Sequence, residues 1–484
     1  MTKQPNILVF MTDQQRGDSL TNTDIIMPNL RSLMDKGVHF SNTHCPSPHC
    51  CPSRATFFTG QYPTQHGIWN NVCVQNSLSK EINPHSSLFS SLLSQKNYHN
   101  YFAGKWHVCY ETGPEDHHFE ELLVTSNKAS KNDPTSAAMM PGWEMYKTLS
   151  QQEHTPRQPG QILRYGYPDY VHYGIDENPF NDRGVVESAL KKLQQLRSSD
   201  DPWLMYIGTL GPHDPYFVPQ HFLNMYADYE VELSDIHFDN MLDKPVYNRK
   251  VKALFDQLSI EEKKASIKHY MAFCTYEDHL FGLVLDELKR HNRFDDTLIL
   301  FTSDHGDYNG EHGLWCKGLP AFRGAYHIPA VAYWKNGIVN PGRTVDHLVS
   351  LADFAPTILE LANTEFSQTI VGSSLTQYLY DLDTTNKKDY LYTQTNGNEV
   401  YGIQRAVFND DWKLVYNALD TDELYNLKQD PNELNNLIEQ HDLIGTRKKL
   451  YKKMWEFAAS TNDQCVNPYI LVGLAEFGPA IAFE

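Results

Sequence analysis

Three long apolar runs constrain the fold of this chain more than any other feature. Residues 6–11 read NILVFM, residues 203–210 read WLMYIGTL and residues 297–303 read TLILFTS. Nearly continuous apolar runs are typical of strands buried on both faces, which occur in parallel sheets flanked by helices. Apolar residues at helical spacing in 28–36 and 267–288 indicate helices between these strands. The alternation predicts an α/β fold with a largely parallel sheet covered by helices.

Polar residues follow each of these runs. Asp13 and Gln14 come after the first, His213 after the second, and Asp304 and His305 after the third. Each residue taken singly is more often an ordinary turn or structural residue than a functional one. In parallel sheets, however, ligands bind beyond the carboxyl ends of the strands. The recurrence of these residues at one sheet edge predicts a functional site there.

Two adjacent cysteines stand in the segment HCCPSRATFFTG, residues 49–60. The eight cysteines of the chain show no repeated CxxC pairing, which argues against a zinc ribbon or a disulfide framework. Pro52 suits the first turn of a helix that Gly60 would end. Residue 50 is therefore expected at a helix N-terminus, where free N–H groups and the helix dipole favour an anion.

The run Cys50-Cys51-Pro52-Ser53-Arg54 resembles the signature of the type I sulfatases of the alkaline phosphatase superfamily. The resemblance continues through TGQYPTQHG and is joined in order by MTDQQR, GKWH, GPHDPY and SDHGDYNGEHGLWCKG, so that it covers most of residues 5–335. WKLVYN and DELYNLKQDPNELNNL extend it to about residue 437. It implies that a formylglycine-generating maturation enzyme oxidises Cys50 to 3-oxoalanine (formylglycine), and that Cys51 fills a variable position.

The resemblance also implies a set of metal ligands. They are Asp13, Gln14, Cys50 in its modified form, Asp304 and His305. Well-known family members most often carry Asp at the position of Gln14 and Asn at that of His305. Calcium is the expected divalent ion, and this altered ligand set leaves magnesium and manganese as alternatives.

The same resemblance assigns the catalytic residues. Arg54 would neutralise the formylglycine hydrate, while Lys105 and Lys317 would pair with sulfate oxygens. His107 would deprotonate the hydrate, and His213 would protonate or orient the oxygen of the leaving group. A hydrated aldehyde suits this chemistry because it has two hydroxyls. One can displace the alcohol from sulfur, and deprotonation of the other expels sulfate and restores the aldehyde.

The implied function is hydrolysis of the sulfate ester of a sulfated sugar or an aryl alcohol. The nearest alternative is a phosphonate or phosphate ester hydrolase of the same superfamily, since relatives with formylglycine and an Asp-His metal pair act on such esters. GKWH and Lys317 favour sulfate. A further alternative is a non-catalytic, anion-binding pseudoenzyme in which Cys50 remains a thiol.

The net charge and the hydropathy of the chain limit the classes of partner that it can bind. The formal net charge of −19 argues against a general nucleic-acid or anionic-membrane surface, because both partners are polyanions. Three fixed cations and a metal would instead form a local positive pocket for a small anionic ester. No stretch is long enough to span a bilayer and no signal peptide is evident, so we expect a cytoplasmic protein.

Two domains are expected by resemblance. Residues 1–380 would form the catalytic domain with a mixed, mostly parallel sheet between helices, and residues 381–484 a smaller domain with an antiparallel sheet and a helix. The polar segment TTNKKD, residues 384–389, is the expected boundary. The tail 466–484 is mostly apolar and must pack against protein. It is expected either to dock on its own domain or to lie across a neighbouring subunit and build a homo-oligomer.

Overall fold

A computed structural model of the chain describes residues 4–74, 77–125, 143–149, 156–199, 201–382, 387–398, 400–464, 466 and 474–484. Its strands are β1 Asn6–Thr12, β2 Val38–Phe40, β3 Thr43–His44, β4 His99–Lys105, β5 Glu120–Thr125, β6 Gln161–Ile162, β7 Tyr170–Val171, β8 Tyr173–Ile175, β9 Trp203–Gly208, β10 Tyr216–Val218, β11 Thr297–Ser303, β12 Ala330–Tyr333, β13 Arg343–Val345, β14 Val349–Ser350, β15 Leu391–Gly397, β16 Tyr401–Phe408, β17 Trp412–Asn417 and β18 Glu423–Asn426.

The three predicted strands are confirmed and lie side by side in the main sheet. Its order is β13-β2-β12-β11-β1-β9-β4-β5, in which only the β11–β12 and β12–β2 pairs are antiparallel. Ile7 and Val9 of β1 contribute to one apolar core, whereas Leu8 and Phe10 contribute to another. Because alternate residues of a strand point to opposite faces, the sheet is buried on both sides. The predicted α/β fold with a mixed, mostly parallel sheet is thus confirmed.

Helices cover both faces of this sheet. The α-helices of the described residues are α1 Pro28–Met34, α2 Cys50–Thr59, α3 Pro63–His66, α4 Phe89–Ser94, α5 Trp143–Leu149, α6 Asp182–Gln195, α7 Gln220–Asn224, α8 Val246–Phe255, α9 Ile260–Arg290, α10 Arg323–Tyr326, α11 Phe354–Leu361, α12 Thr376–Leu379 and α13 Ile444–Ser460. The helix predicted over 267–288 begins earlier, at Ile260. Ser259 accepts the Glu262 N–H, while the Glu262 carboxylate accepts the Ser259 N–H at 2.8 Å. This capping box moves the start of the helix toward the N-terminus.

The C-terminal residues form the predicted antiparallel sheet and helix. β15, β16, β17 and β18 pair in sequence order, and α13 packs on β16 and β17. The sheet is tied to the larger part of the chain, since the Gln394 N–H donates to the Pro46 carbonyl at 2.8 Å and the Gln404 amide to the Leu319 carbonyl at 2.7 Å. Residues 384–386 of the expected boundary lie outside the described residues, so the domain limits stay a prediction.

None of the helices among these residues combines the length and hydropathy that crossing a bilayer requires.

Candidate active site

Residue 50 is the first residue of α2, a helix that is buried along its whole length. His49 before it is extended, and Gly60 after it ends the helix with a φ of 67°. Glycine adopts this left-handed conformation without strain. Pro52 lies within the first turn, where its missing N–H costs no hydrogen bond. The predicted helix is therefore confirmed, and Cys50 lies where the first N–H groups and the helix dipole concentrate positive potential.

Four predicted ligand groups meet at this helix N-terminus. β1 and β11 are parallel and paired in register up to their last residues, so Asp13 and Asp304 follow them as neighbours. Ligand atoms of Asp13, Cys50, Asp304 and His305 all lie within 4.8 Å of one another, and all four side chains are buried. His305 Nε2 is 3.2 Å from Cys50 Sγ and 3.6 Å from Asp13 Oδ1.

This cluster fits a divalent cation. Two carboxylates and an imidazole are donors that calcium, magnesium or manganese accept. The His305 ring is oriented by its second nitrogen, because Nδ1 lies 2.9 Å from the Gly306 carbonyl and can only donate to it. Nε2 is then left as a lone-pair donor that faces the cluster. Cys50 Sγ marks the position from which an oxidised side chain would present its oxygens.

Two cations hold the carboxylates on the side away from Cys50. Arg54 binds Asp304 Oδ2 through Nε at 2.8 Å and Asp13 Oδ2 through a terminal nitrogen at 3.0 Å, and Lys105 Nζ binds the same Asp13 oxygen. Arg54 is itself fixed by the Tyr206 hydroxyl, which accepts from it at 3.0 Å. The Oδ1 atoms of both carboxylates consequently remain on the side of Cys50 and His305.

The surrounding charges polarise the site. Burial works against ionisation of Cys50, yet the positive charges of Lys105 and Lys317 hold its pKa well below the ordinary value. Burial likewise opposes ionisation of Asp13, and the neighbouring cations nevertheless keep the pKa of this carboxyl below its usual range. Residue 50 thus lies in a buried environment that favours negative charge.

Lys317 and His213 meet at the solvent side of the cluster. Lys317 Nζ donates to His213 Nε2 and to Gln14 Oε1, both at 2.7 Å. The Gln14 amide nitrogen donates in turn to Asp214 at 3.0 Å and to Asp307. Gln14 therefore borders the four-group cluster and joins Lys317 to two carboxylates, and its role as a metal ligand stays a prediction.

Lys105 and His107 extend from the end of β4 into the site. His107 is buried and adopts a left-handed backbone conformation with φ of 47°, which is unfavourable for a residue with a Cβ. Its Nε2 lies 3.0 Å from Cys73 Sγ.

The turn before His213 is stabilised by the buried carboxylate of Asp182. The Asp182 carboxylate accepts the N–H groups of Leu210 and Gly211, each at 2.8 Å. Glu277 of α9 packs against the same turn so closely that a Cβ on Gly211 would lie 2.2 Å from Glu277 Oε1. A side chain at this position would therefore require Glu277 to move.

Sequence patterns do not identify several of these residues. Asp214 and Asp307 lie within the motifs GPHDPY and SDHGDYNGEHG, where their carboxylates could have been noted. Tyr206, Asp182 and Glu277 lie in ordinary apolar or helical segments, and no local signal distinguishes them from core residues.

Comparison with known proteins places this site in a family. The family model described as Sulfatase matches residues 5–364, and the one described as N-sulphoglucosamine sulphohydrolase, C-terminal, matches residues 310–460. The choline-sulfatase of Rhizobium meliloti is 29% identical over 460 residues, which cover 90% of this chain and 83% of that protein.

Solved structures show the same fold. A protein in complex with its substrate D-glucosamine-2-N,6-O-disulfate superposes with a TM-score of 0.74 at 19% identity, covering 96% of this chain and 99% of the other. The phosphonate monoester hydrolase of Agrobacterium radiobacter superposes with a TM-score of 0.75 at 20% identity, covering 95% and 97%. Because the first family model spans most of the chain, from before Asp13 to beyond Lys317, the chain belongs to the sulfatase family.

Proposed function

We propose that the protein hydrolyses the sulfate ester of a sulfated sugar or an aryl alcohol, giving the alcohol and inorganic sulfate. One observation carries this proposal. Ligand atoms of Asp13, Cys50, Asp304 and His305 converge within 4.8 Å of one another at the N-terminus of a buried helix. Membership of the sulfatase family supports the same activity.

The proposal includes two additions to the chain. The maturation enzyme converts Cys50 to formylglycine, and one divalent cation, proposed to be calcium with magnesium or manganese as alternatives, is held by Asp13, Asp304, His305 and residue 50. Gln14 remains a proposed further ligand. When bound, the cation supplies Lewis-acid polarisation at the reacting oxygens.

Three cationic side chains bind and orient the anionic groups. Although burial opposes the charged form, the negative charges of Asp304, Asp13 and Cys50 raise the pKa of the Arg54 guanidinium, so Arg54 can counter negative charge at residue 50. Lys105 and Lys317 reach the site from different parts of the chain. Burial raises the pKa of Cys50, and the positive charge of each lysine lowers it. We assign them to the sulfate oxygens, where fixed positive charge stabilises the charge that develops in the transition state.

His213 handles the proton of the leaving group. Its Nδ1 faces the Asp214 backbone carbonyl, which can only accept, so this nitrogen carries a proton. Its Nε2 accepts from the Lys317 ammonium, which can only donate. The leaving oxygen can thus be protonated or oriented by the Lys317–His213 pair, while His107 accepts the proton released at residue 50.

Phosphonate or phosphate ester hydrolysis is the second candidate function. The observation that favours it is His305, whose imidazole joins two carboxylates in the ligand cluster where an amide is commoner among sulfatases. A comparison of sulfate, phosphate and phosphonate monoesters of one chromogenic phenol separates the two functions. We expect the highest kcat/KM for the sulfate ester, and a higher value for either phosphorus ester would contradict the proposal.

The alcohol half of the substrate is addressed by a second panel. Sulfated mono- and disaccharides are assayed alongside aryl sulfates and choline sulfate, the last because a similar protein is named a choline-sulfatase. Sulfate release is measured directly, so that every substrate is read by the same product. A preference for choline sulfate over all sugars and aryl esters would contradict the proposed leaving groups.

A further inference from the structure

Asp182 contacts the turn before His213, although it lies outside every motif that carries the resemblance to sulfatases. It is the first residue of α6, which packs on β9 and leads into it. A helix that leads into a strand of a parallel sheet runs back along that sheet, so its N-terminus lies at the carboxyl end of the strand. Asp182 is therefore placed at the sheet edge that carries the site, and it is fully buried there.

Both carboxylate oxygens of Asp182 bind this turn. Oδ1 accepts the Leu210 N–H and Oδ2 accepts the Gly211 N–H, each at 2.8 Å. Two parallel bonds to one carboxylate fix orientation as well as distance. From α9, Glu277 and Phe273 pack on the same turn, since a Cβ on Gly211 would lie 2.2 Å from Glu277 Oε1 and 2.4 Å from Phe273 Cε2. The turn is thus held by hydrogen bonds from one helix and by packing from another.

The same turn connects His213 to the ligand cluster. The Leu210 carbonyl accepts the His213 N–H at 3.0 Å, and the Gly211 carbonyl accepts the Asp13 N–H at 3.1 Å. The His213 ring faces the cluster, with its Nε2 3.9 Å from Asp13 Oδ1. The position of the His213 ring relative to the cluster therefore depends on how the turn is held.

We propose that Asp182 is a positioning residue for the proposed hydrolysis: it holds the turn 210–213 so that the His213 ring meets the oxygen of the leaving group. This inference rests on the proposed function. Because Asp182 is fully buried behind the turn, it acts through His213 and not by contact with the substrate. A displacement of about 1 Å in such a group can lower a rate about 100-fold, and the loss is largest for the leaving groups that need most assistance.

The dependence of kcat/KM on the leaving group tests this role in the mature, metal-loaded enzyme. Asp182→Asn keeps the shape but turns an NH₂ group toward one of the two N–H groups of the turn. With aryl sulfates whose phenols range from strongly to weakly acidic, we expect kcat/KM to fall by less than about threefold for the best leaving groups and by roughly 10–100-fold for the poorest. The slope of log kcat/KM against phenol acidity should therefore be steeper than in the wild type, as it should be in His213→Ala.

Asp278→Asn is the matched control. Asp278 is another buried carboxylate that accepts two adjacent backbone N–H groups, those of Asn29 and Leu30 at 3.1 and 2.7 Å, but these belong to α1. This variant disturbs a comparable pair of hydrogen bonds and should keep the wild-type slope. A merely structural role of Asp182 predicts the wild-type slope in Asp182→Asn as well. That result, or a loss of bound metal that accounts for the lower rate, would overturn the proposal.

Hydrogen exchange tests the same contact without catalysis. In the full-length protein the amides of Leu210 and Gly211 should be protected, should exchange faster in Asp182→Asn and should stay protected in Asp278→Asn. Rapid exchange of both amides in the wild type, or unchanged exchange in Asp182→Asn, would overturn the proposal, and the first of these needs no variant to fold. Equal slopes for His213→Ala and the wild type would instead refute the proposed role of His213. A wild type that releases no sulfate from any ester would refute the proposed function itself.

Discussion

At the residue scale, the two adjacent thiols of the signature lie in different surroundings. Cys50 Sγ faces His305 and Asp13, whereas Cys51 Sγ accepts the backbone N–H of Val72 at 3.3 Å within the apolar core. Burial raises the pKa of the Cys51 thiol, while the cations around Cys50 overcome burial and lower its pKa. We therefore propose the chemical role for the first cysteine alone.

The first prediction is that Cys50→Ala abolishes turnover while Cys51→Ala retains most of it. Cys50→Ala removes the side chain that is oxidised, whereas Cys51→Ala removes only a small buried group and an acceptor, at a cost of about 1–3 kcal/mol in stability. Initial rates with an aryl sulfate check the activities. Mass analysis of the peptide around residues 45–54 should show the aldehyde or its hydrate at residue 50, and unmodified thiol in fully active enzyme would refute the mechanism.

The second prediction concerns the cation. Chelation should remove activity and added calcium should restore it, because the reacting oxygens lose their Lewis acid. Asp304→Ala should be inactive even with excess calcium, since it removes one ligand and one partner of buried Arg54. Asp295→Ala, which removes an exposed partner of Lys335, is the control. Metal analysis accompanies the assays, and activity after exhaustive metal removal counts against the proposal.

What the sequence could predict at this scale depends on where each residue lies. Asp13, Cys50 and Asp304 lie in contiguous motifs at strand or helix ends, so their convergence follows from the topology of a parallel sheet. Cys73 and Glu277 reach the site only through packing of a distant loop and helix. No spacing along the chain indicates such contacts.

At the scale of elements, α9 supports the site through two side chains that lie within its predicted range. The Tyr270 hydroxyl donates to the Gln14 carbonyl at 3.0 Å, and Glu277 packs against the turn before His213. The periodic apolar residues predict the helix, but the residue at which it begins depends on N-capping by Ser259. The helix thus packs against the residues that follow β1 and β9.

The third prediction is a pH dependence of stability caused by Asp182 and Glu277. Burial raises the pKa of Asp182 from 3.8 to about 7 and that of Glu277 well above 4.5, so the folded protein holds protons that the unfolded chain releases. Their contribution is fully present below about pH 4 and is lost as pH rises toward 7. For each proton that the folded protein binds in excess of the unfolded chain, the free energy of unfolding falls by about 1.4 kcal/mol for every unit that the pH rises in this window.

Glu277→Gln tests this dependence because it keeps the shape and removes one titrating group. Urea denaturation at several pH values should show that the free energy of unfolding of the variant falls less steeply with rising pH than that of the wild type. The stability of the variant relative to the wild type should therefore be more favourable at pH 7 than at pH 4. Glu261→Gln, on the exposed first turn of the same helix, is the matched control and should keep the wild-type slope. Equal slopes for all three proteins would contradict the assignment.

At the scale of the whole molecule, the long buried strands made the fold class predictable, and the short strands did not reveal the sheet order. β2, β12 and β13 have three or four residues each and form one side of the main sheet. β2 pairs with β12 and β13 across hundreds of residues, so no local pattern indicates these neighbours. The net charge of −19 and the local cluster of Arg54, Lys105 and Lys317 agree with the predicted preference for a small anion.

The apolar tail is the part of the molecule for which the sequence left two outcomes open. Of residues 466–484, the structure describes 466 and 474–484, and the latter pack on α13. Trp455 Nε1 donates to the Phe477 carbonyl at 2.7 Å, Arg447 forms an ion pair with Glu476, and Ile481 is buried. These residues therefore dock on their own domain, while the predicted homo-oligomer stays a prediction.

The fourth prediction is that deleting residues 474–484 lowers stability. The truncation uncovers the face of α13 around Trp455 and removes the burial of Ile481, a loss of about 2–4 kcal/mol by apolar area. Thermal unfolding checks this, and Lys448→Ala, which removes only an exposed partner of Glu484, should change it little. Light scattering of the same proteins tests the predicted homo-oligomer, since a tail shared between subunits requires the full-length mass to exceed one chain and to fall on truncation. A monomeric full-length protein, or a truncated protein with the same oligomeric state, would show that the tail serves its own domain alone.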